Sequence, residues 1–104
     1  QLDIDPPEIT YNALTALPFD KLKFRVITYE HDHYADRSLE YREKSRVFLK
    51  SKGYKLVVSN IAPDSNSSFE DWWVHPHLVD PKILEVMIDT SNRIKAADKY
   101  LLND

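Results

Sequence analysis

The sequence predicts an α/β fold: a sheet of about four strands, mostly parallel, with three helices and a last strand that returns antiparallel through a hairpin. Two observations carry this. Short runs rich in β-branched and aromatic residues alternate with segments whose apolar residues recur at helical spacing. The last two such runs are separated by a polar loop, not a helix, so the second of them reverses direction.

The elements follow in order. Leu2 to Ile4 reads as a short strand. Asp5-Pro6-Pro7-Glu8 reads as a helix start, with an acidic N-cap candidate, proline in the first turn and an acid near the positive end of the helix. Ile9, Ala13, Leu14 and Leu17 give that helix its apolar spacing, and Pro18 stops it. Phe24 to Glu30 is the second strand, and His31 to Asp36 a polar loop. A second helix, capped by Asp36 or Ser38, runs from about Leu39 to Lys52. Leu39, Arg42, Arg46 and Leu49, with Val47 and Phe48, form its partly apolar face, and Gly53 stands at the C′ position. Tyr54 to Ser59 is the third strand, residues 62–69 a polar loop, and Trp72-Trp73-Val74 a fourth strand in which the two indoles point to opposite faces. Asp80 caps a final helix with Pro81 at its first position. The stripe Ile83, Met87, Ile94, Ala97 and Leu101 carries that helix to about Leu101.

Composition bounds the function. A chain of 104 residues is one domain, residues 1–104. Its 42% hydrophobic and 30% charged residues suit a packed globule rather than a disordered segment. A formal charge of −3, with lysine and arginine dispersed, argues against a nucleic-acid partner. No apolar run approaches the roughly 20 residues that span a bilayer, and residues 1–20 lack the basic start and apolar core of a signal peptide, so a cytoplasmic location is expected. Cysteine is absent, which fits a reducing compartment. The chain has a single glycine, Gly53, and so has no Gly-rich loop to cradle a cofactor.

Three stretches resemble FkbM-type methyltransferases, members of the class I S-adenosylmethionine-dependent enzymes. Leu2-Asp3-Ile4-Asp5-Pro6-Pro7-Glu8 resembles the acidic end of their fourth strand, commonly Asp-x-Glu-Gly-x-Glu, with Asp5-Pro6-Pro7 in place of Glu-Gly-x. Phe24 to His31 resembles their fifth strand, which often ends in Glu-His. Gly53-Tyr54 with its apolar strand, followed by Glu70-Asp71-Trp72-Trp73-Val74, resembles their closing hairpin. The resemblance covers about residues 1–80 and implies a partial Rossmann-like methyltransferase fold: strands four to seven, without the half that holds the cofactor. The complete enzyme would use S-adenosylmethionine, while this chain alone would bind it weakly and be inactive. A missing amino-terminal half, or a second copy forming a homodimer across the open edge of the first strand, is the implied partner.

Candidate site residues are those at the carboxyl ends of the parallel strands, where open α/β sheets hold ligands. They are Asp3, Glu30 and His31 as catalytic candidates, with Asp5, Glu8, Asp32, Glu70 and Asp71 in the loops on the substrate side. His31 beside a carboxylate suits a general base, although neighbours on a strand point to opposite faces and need not touch. Asp3 and Asp5 could orient a substrate or hold a hard cation, and Asp5 could equally be a plain helix cap. Four histidines fall into two His-x-His pairs, His31 with His33 and His75 with His77, which suggests a metal-binding reading. The two pairs are expected at opposite ends of the sheet, which argues against one shared site. A non-catalytic interaction module is the remaining alternative.

Overall fold

The computed structural model describes residues 1–2, 7–31, 40–62, 70–91 and 94–96. Its elements are α1 (Pro7–Ala16), β1 (Val26–Glu30), α2 (Glu40–Ser51), β2 (Lys55–Ala62), β3 (Glu70–Val74), α3 (Pro81–Met87) and β4 (Lys95–Ala96).

The sheet is not the mostly parallel, Rossmann-like methyltransferase sheet expected. Its order is β1-β3-β2-β4, and its body is the antiparallel trio β1-β3-β2. The hairpin strand β3 folds back between β1 and β2 and separates the two strands that the α2 crossover would otherwise have paired. β1 and β2 still run parallel to each other, but each bonds to β3. The sequence of β3 suits a central place, because Trp73 and Val74 offer apolar bulk to both faces of the sheet. Among the described residues, parallel pairing is confined to the margins. β4 pairs with the end of β2 through Ile61 and Ala62, Val58 bridges Asp89, and Leu2 bridges Tyr29. The first strand is therefore seen only as that bridge at Leu2, with residues 3–6 outside the described residues.

Two layers of helix flank the sheet. Along β1 and β3, Ile27, Tyr29 and Trp73 face α1 and α2, where they pack with Leu14, Leu49 and Tyr54. Val74 and the half-buried Trp72 face the other way and join Val57, Val58, Ile61 and Leu84 beneath α3. The opposite orientation expected for the two tryptophans holds. α2 ends as its sequence predicts: Gly53 adopts φ 88°, and Tyr54 N–H returns to Leu49 O at 3.1 Å.

The last helix is much shorter than its apolar stripe suggests. Asp80 caps it as expected, accepting from Lys82 N–H at 2.9 Å, with Pro81 at its start. It stops at Met87, because Ile88 turns extended and Asp89 pairs its backbone with Val57 and Ser59 of β2. Asp89, Thr90 and Ser91 are poor helix formers, and Asp89 Oδ1 accepts from Ser91 N–H and from its hydroxyl, a local turn that competes with the helix. Residues 97–104 lie outside the described residues.

Candidate functional site

The carboxyl ends of β1 and β2 and the start of β3 meet at one edge of the sheet, as the antiparallel insertion of β3 requires. Four expected site residues gather there: Glu30 at the end of β1 and His31 just after it, Glu70 and Asp71 from β3. They divide between the two faces. Glu30 stands opposite Glu70 and Tyr29 opposite Asp71 in the strand register, so alternation sends the glutamates toward the α3 face and Asp71 toward α1 and α2.

Asp71 is fully buried, and four residues meet it or its partners. Arg46 of α2 grips it with both arms, Nε to Oδ2 at 2.7 Å and Nη2 to Oδ1 at 3.0 Å, the fork geometry that suits guanidinium and carboxylate. The Asn60 backbone N–H donates to Oδ1 at 2.9 Å. His31, also fully buried, places Nε2 3.3 Å from Oδ1. A carboxylate only accepts, so this nitrogen carries the proton. The Asn60 side chain then accepts from Arg46 at 3.0 Å and from Arg42 at 3.2 Å.

Local backbone form makes this possible. The β2–β3 register shifts between Val58 and Ile61, and Asn60 inside that bulge has φ 57°. Asparagine tolerates the left-handed region better than most residues, and the bulge turns its N–H toward Asp71. Arg42 and Arg46 are four apart on α2 and so share one face of it.

Burial alone would raise the Asp71 pKa, but the hydrogen bonds from His31 and Arg46 outweigh it and hold the carboxyl well below the usual aspartate range. Burial likewise works against the charge on Arg46, and Asp71 more than restores it.

On the other face, the Trp72 indole N–H donates to Glu70 Oε2 at 2.9 Å. Glu70 is buried and Glu30 half-buried. Glu8 is exposed in the first turn of α1. Asp3, Asp5, Asp32 and His33 lie outside the described residues. His75 and His77 sit at the other end of the sheet, where His75 N–H bonds to Arg25 O ahead of β1. Their rings lie 5.6 Å apart, with His75 edge-on to Tyr54. Among the described residues no three histidine, aspartate or glutamate side chains converge as metal ligands.

Sequence reasoning missed Arg42, Arg46 and Asn60. The signal was present: two arginines four apart on the inward stripe of a helix need a buried counter-charge.

The one glycine, Gly53, closes α2. No described helix is long and apolar enough to cross a membrane. Comparison with known proteins finds no matching family, no similar curated protein and no similar solved structure.

Proposed function

We propose that this chain is the substrate-side, carboxyl-terminal part of an S-adenosylmethionine-dependent methyltransferase and is inactive alone. The observation that carries the reading is the convergence of Glu30, His31, Glu70 and Asp71 at the end of the sheet where β1 and β2 terminate and β3 begins. The residue-level resemblance and the antiparallel closing hairpin point the same way.

Within this reading the residues divide their work. Asp71, Arg46, His31 and Asn60 form a rigid support that fixes the ends of β1, β2 and β3. Glu30 and Glu70, on the opposite face of the same edge, are the carboxylates that orient the acceptor, with Glu30 as the general base for its hydroxyl or amine. The cofactor belongs to the remainder of the enzyme.

Reading the gene upstream of residue 1 tests this cheaply. The proposal expects an in-frame segment coding for a strand, a Gly-rich turn and a helix. A start codon directly ahead of residue 1, preceded by a stop, would overturn it.

A further inference from the structure

The backbone of β1 bonds in two directions. Toward β3 it turns the groups of Arg25, Ile27 and Tyr29: Arg25 O accepts from His75 N–H, and Ile27 and Tyr29 stand opposite Trp73 and Asp71. Alternation turns the groups of Val26, Thr28 and Glu30 outward. Leu2 takes one step of that outer side. Its N–H donates to Thr28 O and its C=O accepts from Glu30 N–H, both at 2.9 Å, in a parallel bridge. One step nearer the start of β1, nothing among the described residues pairs with Thr28 N–H or Val26 C=O on this side. An open strand side of this kind is a template for a further strand.

A hollow of about 200 Å3 lies beside the same step, lined by Gln1, Leu2, Leu17, Phe24, Val26 and Ile27. Leu2, Leu17 and Phe24 pack against the core beneath α1 and α2, to which Ile27 belongs. In a strand continuing backward from Leu2, the residue two before Leu2 points to that same face and stands opposite Ile27. Its side chain enters the hollow, its N–H reaches Val26 C=O, and its C=O accepts from Thr28 N–H. Backbone pairing and side-chain hollow thus fall in one register. Continuity selects the occupant. With Leu2 holding the adjoining step, a strand from another molecule would run into Gln1, whereas the backbone that leads into Gln1 is already aligned. We propose that the residue joined to the amino side of Gln1 in the longer protein is apolar, fills this hollow and extends the Leu2 bridge into a parallel strand along β1. The inference rests on the reading above only in placing the chain within a longer protein, and not on methyl transfer.

Amide exchange followed by NMR on the complete gene product tests it. Thr28 N–H should exchange about 100-fold or more slowly than an exposed amide, in step with Ile27 and Tyr29, which bond to β3. Overhauser contacts should join the residue before Gln1 to Ile27 and Thr28. Thr28 exchanging as an exposed amide while Ile27 and Tyr29 stay protected would overturn the proposal, as would a product in which no residue before Gln1 contacts Ile27. The two readings fail separately. A protected Thr28 in a product without a Gly-rich turn keeps the strand and removes the methyltransferase, and an unprotected Thr28 in a product with that turn does the reverse.

Discussion

Asp71 concentrates more of the fold's polar energetics than any other described residue, because a buried carboxylate is tolerable only while all its partners are in place. Replacing it with asparagine removes the buried counter-charge of Arg46 and leaves only the exposed Glu43, 3.6 Å away. Asp71→Asn should lower stability by about 3–5 kcal/mol in urea unfolding at neutral pH. The sign of the pH effect follows from the lowered pKa. The unfolded chain binds a proton at Asp71 near pH 3.9, and the folded chain only at lower pH. The stabilisation is therefore fully present above the unfolded value and drains away as pH falls below it toward the folded one. Wild type should lose stability across that acid range, and Asp71→Asn should show a flatter profile there. The indole of Trp73 gives a contrasting case. It is fully buried, and its N–H has no acceptor among the described residues. Trp73→Phe should thus cost much less than Trp73→Ala, for which about 3–5 kcal/mol is expected from denaturant midpoints. That Trp72 and Trp73 face opposite sides of the sheet was legible from strand alternation, but not that Trp73 is the fully buried one. The spacing of Arg42 and Arg46 signals a buried counter-charge, but that Asp71 supplies it was not legible, because its contacts with Arg46 and Asn60 span 25 and 11 residues of sequence and depend on a bulge that no local pattern announces.

The elements divide by how local their causes are. α1, α2 and the start of α3 were readable because prolines, Gly53 and the Asp80 cap act within a few residues. Asp80→Ala should cost about 1 kcal/mol through loss of the cap, seen as a lower midpoint in thermal or urea unfolding. The end of α3 was misread for a tertiary reason. The stripe from Ile83 to Leu101 has helical spacing, yet Asp89 and Lys95 are recruited to the outer edge of β2. Lys95 is almost fully buried, and its ammonium donates to Ser59 Oγ at 2.9 Å and to Ser91 O, with Asp89 Oδ1 3.5 Å away. Those bonds tie the segment after α3 to the sheet. Lys95→Met keeps the stem but removes the donors, so amide exchange at Asp89 and in β4 should accelerate while the β1-β3-β2 amides stay protected. Equal acceleration throughout the sheet would show that Lys95 supports the whole fold and not the edge alone.

At the scale of the whole molecule, a mixture of helices and strands and the closing β2–β3 hairpin were legible in the sequence, but the mostly parallel four-strand sheet expected from it was wrong, because local patterns do not say which strands become neighbours. The run of β-branched residues in β2 and the two-sided bulk of β3 satisfy a parallel and an antiparallel arrangement alike. What decides between them is where the hairpin strand folds, a choice made by the packing of both helix layers together. The same sheet leaves the outer side of β1 open beside Val26 and Thr28 and collects four acidic or imidazole side chains at one edge, and these two places carry the functional readings. The central claim is that this edge serves a methyl acceptor while the cofactor is held elsewhere in a larger enzyme. The most direct test is calorimetric titration of S-adenosylmethionine and S-adenosylhomocysteine, run in parallel on the 104-residue chain and on the product of the complete gene that encodes it. The account predicts no measurable binding to the chain and micromolar binding to the complete product. Micromolar binding to the chain itself, or none to either protein, would contradict it.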